Sequence, residues 1–229
     1  MELDKKDLSA KILSNLEMAT NIRKEYLTDS NLKEKKDVLK AYQVERLKFT
    51  HKECLSDPNT KEATKFFLTE IYSDKDLTKR DADLAKIVPM MCKLFPKELL
   101  IVLSDAIELD ALTEVLDMKM CKSLNANFTD EEYMKVYREK TKYDDRKKQI
   151  QLTNALGLSL IDVVKYPLIG GLLGKMGFPA KMMGLSEMHE LLNNGFNIFK
   201  NTKNVEQFLE TLIQNEYDIL EDIYEIKSV

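Results

Sequence analysis

The sequence predicts an all-α fold, a single-domain bundle of about eight or nine helices over residues 1–229 with a central buried helix at about 96–125. Three observations carry this. Apolar residues recur at three- and four-residue spacing in every long segment, and no alternating run is bounded by hairpin signals. Glycine and proline are scarce, at 7 and 5 residues. All seven glycines fall between Gly157 and Gly195, so the first 156 residues lack the residue that tight hairpins most need. A chain of 229 residues, 44% hydrophobic, can bury one substantial core; the points where it would subdivide lie near 127 or 157.

The first helix follows from Leu8, Ile12, Leu16, Ala19 and Ile22, and runs to about Leu27. A second spans Asn31 to Cys54, with Leu39, Tyr42, Arg46 and Phe49 on one stripe. An arginine on that face calls for an acid partner or a ligand. After the turn at Asp57-Pro58-Asn59, Thr60 can cap a third helix through Ala63, Phe67 and Ile71. Thr78 and Asp81 then have capping-box spacing, which reads as helix punctuation. Arg80 shares a stripe with Leu84, Ile87 and Met91 and so points inward. Pro89 is expected to kink this helix, and Pro96 to open the next at its first position.

The helix at 96–125 is apolar almost all round over its first half, yet Asp110, Glu114 and Asp117 fall among Leu99, Leu103, Ala106 and Ile107. Buried carboxylates need partners. The chain has 30 Lys but only five Arg, at 23, 46, 80, 138 and 146. Where lysine serves for generic charge, the few arginines are candidates for bidentate, partly buried pairing. The pairing expected is Arg46 or Arg80 with Asp110 or Asp117. Its first reading is a structural ion pair and its second a ligand site.

The segments Phe66-Phe67-Leu68-Thr69-Glu70-Ile71-Tyr72, Arg80-Asp81-Ala82-Asp83, Pro89-Met90-Met91 and Ala106 to Leu112, with Leu116-Asp117, Gly195-Phe196 and Phe199, resemble an uncharacterised family of bacterial all-helical proteins. The resemblance covers most of the chain and implies the helical fold, with no reaction attached. It departs at Ser73, where the family often has glycine, and at His51, near an aromatic position.

Thr129 to Glu132 is a second capping-box start, opening a charged helix whose Lys and Arg read as a solvated face with pairs such as Asp144 and Lys148. Gly157 then marks a change of composition. The segment 157–185 cannot span a membrane, because its longest uncharged run, Tyr166 to Gly174, is nine residues where about 20 are needed. Gly170 to Met176 departs from phosphate-loop spacing, while Gly170 and Gly174 have the spacing that allows close helix contact. Core helices joined by glycine turns are one reading; a flap over an apolar pocket, or a surface meeting a partner or a membrane, is the other. Ser186 can cap a helix burying Met188, Leu191, Leu192, Phe196 and Phe199. Asn204 opens the last helix, with Val205, Phe208, Leu209, Leu212, Ile213, Ile219, Leu220 and Ile223 on one face.

Several chemistries fail on the residues. A di-iron bundle wants Glu-x-x-His twice, but Lys48 and Ser186 stand three before His51 and His189. His51-Lys52-Glu53 lacks the Pro-Cys-x-x-Cys of a zinc deaminase, and a Cys54–His51 dyad has no orienting third group. No metal and no cofactor are expected. A net charge of −4 and a pI near 5.5 argue against a nucleic-acid partner. Three cysteines without CxxC spacing fit a reducing compartment, and the charged start MELDKKDLSAK is no signal peptide, so the expected place is the cytoplasm.

The reading is a non-enzymatic binding or interaction protein with an apolar pocket or partner surface near 157–185, and with peripheral membrane contact left open. The alternative is an enzyme using carboxylates, tyrosines and arginine on a small acidic or lipid-like molecule. Either way, the candidate site residues are Arg46, Tyr72, Arg80, Asp110, Glu114, Asp117, Gly170 and Gly174.

Overall fold

A computed structural model describes residues 3–68, 78–95, 97–165, 171, 175, 177 and 186–225. The side chains of 78–80, 82, 83, 94, 163, 186–188, 191 and 192 lie outside that description. Among the described residues there are ten helices and no strand. They are α1 (Lys5–Thr28), α2 (Ser30–Thr50), α3 (Lys52–Ser56), α4 (Lys61–Phe66), α5 (Thr78–Leu94), α6 (Lys97–Cys121), α7 (Asp130–Lys140), α8 (Tyr143–Lys165), α9 (Ser186–Asn201) and α10 (Val205–Ile223). No described helix is long and apolar enough to cross a membrane.

The residues divide into two compact units interleaved along the chain. The first takes Met1–Ala41, Asp76–Thr153 and Glu216–Val229; the second takes Tyr42–Lys75 and Asn154–Asn215.

In the first unit α1 packs along α6 and α5. Its start is fixed by a capping box that the sequence pattern did not single out. Asp4 accepts from the amides of Lys6 and Asp7 at 2.8 Å, and Asp7 accepts from the Asp4 amide at 3.1 Å. One stripe of α1 is buried: Leu8, Ile12, Leu16, Ala19, Arg23 and Tyr26. The expected stripe ended on Ile22, which is half-buried, whereas the four-residue step from Ala19 lands on Arg23. Asp29 then takes both helix ends. Its amide closes α1 on the Glu25 carbonyl, and its carboxylate accepts from the amides of Asn31 and Leu32 at the start of α2.

The stripe expected on α2 is corrected. Leu39 is buried and Tyr42 and Arg46 are half-buried, but Phe49 is 74% exposed. The buried set is Leu32, Leu39, Lys40, Gln43 and Leu47. A lysine inside the face turns it away from the all-apolar choice, and an ion pair described below holds that lysine there. On α6, burial surrounds the second half rather than the first, with Leu116, Asp117, Met118, Met120 and Cys121 all inside. Pro89 lies within α5 on its exposed side. The Thr129 box forms as read: Glu132 donates its amide to Thr129 Oγ1 at 3.3 Å and accepts the Thr129 amide at 2.8 Å. Pro96 lies outside the described residues, as do the side chains of Met188, Leu191 and Leu192.

The second unit has an aromatic core. Phe199 of α9 meets Phe66 and Phe67 edge-on at 6.3 and 5.7 Å between ring centroids, and Phe67 reaches Phe208 of α10 at 6.3 Å. Gly195 sits against this cluster, where a Cβ would come within 2.9 Å of Phe66 Cζ. Gly157 is a mid-helix residue of α8 and not a turn. A Cβ there would lie 2.5 and 2.8 Å from the two methyls of Leu209, which is itself buried. The glycine is therefore a contact device, letting the backbone of α8 come close to α10. The face predicted for α10 holds: Phe208, Leu209, Leu212, Ile213, Leu220 and Ile223 are buried, with Val205 and Ile219 half-buried.

Gly157→Ala sets a helix-propensity gain of about 1 kcal/mol against overpacking of about 1–3 kcal/mol. Net destabilisation by urea titration is the expected result. Because the clash is with one side chain, Leu209→Ala in the same chain should absorb it, and the two changes together should cost less than the sum of their separate costs.

Candidate functional site

Among the described residues of the first unit, the densest polar arrangement begins at Arg23 on the buried face of α1, 5% exposed. Its three nitrogens reach three carboxylates. Nη1 bonds Asp81 in the first turn of α5, Nη2 donates to Asp110 Oδ1 at 2.6 Å, and Nε donates to Glu114 Oε1 at 3.2 Å. A planar fork with donors on several edges can serve three helices at once, and a lysine ammonium cannot reproduce that spread. Asp81 is fully buried, so it does more than punctuate the start of α5.

The array continues along α6, where Asp110, Glu114, Asp117 and Cys121 follow one another at four-, three- and four-residue steps and share a face. Lys36 of α2 bonds both oxygens of Glu114, at 2.9 and 3.1 Å, and lies 4.3 Å from the centre of the Tyr26 ring. Lys40 meets Asp117 Oδ2 at 3.0 Å, with both side chains buried. Tyr26 directs its hydroxyl to Cys121 Sγ at 3.9 Å. Asp110 is the opening of the array, its side chain 22% exposed. A satellite sits farther up α6, where Glu108 takes Lys11 of α1 at 2.6 Å and also Lys148 of α8. That is where Lys148, read from sequence as a partner of Asp144, makes its cross-helix pair.

Burial and charge pull these groups in definite directions. Burial alone would favour neutral Arg23, but Asp110, Glu114 and Asp81 outweigh it and push its pKa up. Lys40 follows the same logic: burial lowers it, and Asp117 with Glu114 and Asp110 raises it further. The neutral groups move up as well. Burial, then the charge of Asp117, takes the Cys121 thiol from 9.0 to about 12. Burial, with Cys121 and Asp117, drives the Tyr26 phenol above its ordinary value. Cations stay charged and the thiol and phenol stay protonated. Among the described residues no group of three His, Cys, Asp or Glu is placed to hold a metal ion.

Of the residues expected from sequence, Asp110 and Glu114 meet at one guanidinium, and Asp117 lies one turn on, at Lys40. The arginine described between them is Arg23, which the sequence reading had not paired with them. Arg46 belongs to the second unit and is half-buried. Tyr72, Gly170, Gly174 and the side chain of Arg80 lie outside the described residues. Sequence reasoning missed Arg23, Lys36 and Lys40. The one available signal was the burial stripe of α1, on which Arg23 follows Ala19 by four.

Arg23→Ala should cost about 3–5 kcal/mol, since three carboxylates lose their common partner. Arg23→Lys should recover only part of that in urea unfolding, because an ammonium is a point charge without the planar fork. The thiol gives a pH signature. Unfolded, Cys121 ionises near 9.0, and in the fold only at about 12, so as pH rises the unfolded chain sheds its proton first. Stability from this group is complete below 9.0 and declines between 9.0 and 12; Tyr26 acts in the same sense. Urea midpoints across that window should fall with pH, and less steeply in Cys121→Ala.

Residues 23–228 match the model of a family described as a domain of unknown function, DUF8198. No curated protein matches the chain, and no solved structure does.

Proposed function

Because the chain belongs to the DUF8198 family, its role has to be argued from its own residues, and we propose that it is a non-enzymatic binding or interaction protein. The observation that carries this is the state of the ionic array. Arg23 has each of its three nitrogens on a carboxylate. The nearby thiol and phenol are held protonated by burial. A thiol or phenol that serves as nucleophile or general base needs a pKa lowered toward the working pH, and both of these groups are moved the opposite way. The array is built to hold helices.

The binding surface is placed near residues 157–185, where Leu158 is 48% exposed and Gly171 and Lys175 face outward. Its occupant is an apolar ligand or a protein partner, with peripheral contact to a membrane as a variant of the same chemistry. The setting is a bacterial cytoplasm, supported by three cysteines, Cys54, Cys92 and Cys121, that form no disulfide.

Native mass spectrometry of the chain purified under mild conditions tests this. An acyl molecule or second polypeptide that co-purifies, and is lost in Leu158→Glu, is the expected result. The bare chain mass in every preparation counts against it. A small acidic molecule that co-purifies and is lost in Asp110→Asn would replace it with the carboxylate-and-arginine enzyme reading, since Asp110 is the one member of the Arg23 cluster that opens to solvent.

A further inference from the structure

α7 and α8 meet at a tight corner of the first unit, with only Thr141 and Lys142 between them. The last turn of a helix leaves carbonyl groups without a partner inside it. At the end of α7 two carbonyls are met from the far end of the chain. Tyr224, in the turn that follows α10, donates its hydroxyl to the Thr141 carbonyl at 2.9 Å and lies 3.4 Å from the Tyr137 carbonyl. The same hydroxyl stands 3.0 Å from Oγ1 of the buried Thr141, an atom that also accepts Arg146 Nε at 3.3 Å. The Tyr224 ring packs edge-on against Tyr137 of α7 at 6.0 Å and Tyr143 of α8 at 5.5 Å. One side chain therefore touches both helices of the corner and supplies a polar partner at the bend.

The rest of the turn is held lightly. Arg138 pairs with Glu225, but both side chains are exposed, and exposed pairs add little. Glu225 has a φ of 56°, in the left-handed region that is unfavourable for a residue with a Cβ. The corner itself has contacts that do not involve Tyr224. Arg146 bonds Thr141, Gln149 and Met120, and its guanidinium carbon stands 4.0 Å from the centre of the Tyr137 ring. Burial moves the Tyr224 phenol above its ordinary value of 10.0, so the hydroxyl keeps its proton and remains a donor.

We infer that the turn Tyr224-Glu225 is a strap over the α7–α8 corner and that the Tyr224 hydroxyl is its latch. Closed, it covers Tyr137 and Tyr143 and satisfies the Thr141 carbonyl. Released, it uncovers the two rings while Arg146 still holds the corner, an opening at the chain end that costs less than unfolding the unit. A group added to the Tyr224 oxygen would remove its hydrogen and press against two carbonyls, so this oxygen is also the point where a covalent modification would hold the strap open. The device lies in the first unit and stands without the apolar surface proposed above.

Hydrogen exchange of the full chain in low concentrations of urea, read at single amides, tests this together with nitration of Tyr143. The amides of Tyr224 and Glu225, bonded to the Leu220 and Asp222 carbonyls at 3.1 Å, should exchange through an opening that hardly depends on urea, whereas amides of α6 should open only with urea-dependent unfolding. Tyr224→Phe keeps the ring and loses the hydroxyl. It should speed exchange at Glu225 roughly tenfold, the effect of one hydrogen bond, and nitration of Tyr143 should rise with it. Arg138→Ala should change either rate by about twofold or less. Exchange at Tyr224 and Glu225 with the rate and urea slope of α6 would overturn the proposal. So would unchanged Tyr143 nitration in Tyr224→Phe, or an Arg138→Ala effect as large as that of Tyr224→Phe.

Discussion

One guanidinium sets the terms for the first unit. Arg23 can lie on the buried face of α1 only because three carboxylates meet it there, one from α5 and two from α6. Desolvating four charged groups is unfavourable, and their mutual attraction does little more than return that cost. The value of the arrangement is register. Greasy contacts between helices tolerate sliding by a side chain, whereas a planar fork bonded on three edges accepts one mutual placement of α1, α5 and α6.

The stripe on α6 extends the same constraint to α2. Once Glu114 has turned toward Arg23, its second oxygen and the carboxylate of Asp117 face inward too, and they require cations. Lys36 and Lys40 supply them, which is why Lys40 occupies a buried position on α2 and Phe49 is left outside. Cys121 and Tyr26 complete the row as neutral groups, and the negative charge of Asp117 helps to keep both protonated. The polar row is thus a sequence of dependencies.

Much of this was legible in the sequence, and the failures share a physical cause. Periodicity identified α1, α6 and α10, the Thr129 box was plain from spacing, and Asp110, Glu114 and Asp117 declared themselves as carboxylates on an apolar helix. The partner was not legible. A hydrophobic stripe is traced by choosing the apolar residue at each step, so on α1 the choice fell on Ile22, and Arg23 was passed over although the four-residue step from Ala19 points to it. The same habit placed Phe49 on the inner face of α2 in preference to Lys40. A buried charge shows on an otherwise apolar helix, but the charge that answers it on another helix is passed over when the neighbouring apolar residue is chosen instead. Gly157 shows the converse: the change of composition there was plain, but not that α8 must lack a side chain at that point to admit Leu209.

The two arginines described as buried in the first unit are held in different ways. Arg23 is surrounded by opposite charge, so its field is cancelled within a few ångströms and a passing anion meets carboxylates first. Arg146 is held by a hydroxyl, an amide oxygen, a thioether and a ring face, with Asp144 and Asp145 in the same first turn of α8. The conspicuous cluster on α6 is therefore a poor place to look for an anionic ligand, because its cation is already paired and its partly exposed group, Asp110, is itself negative.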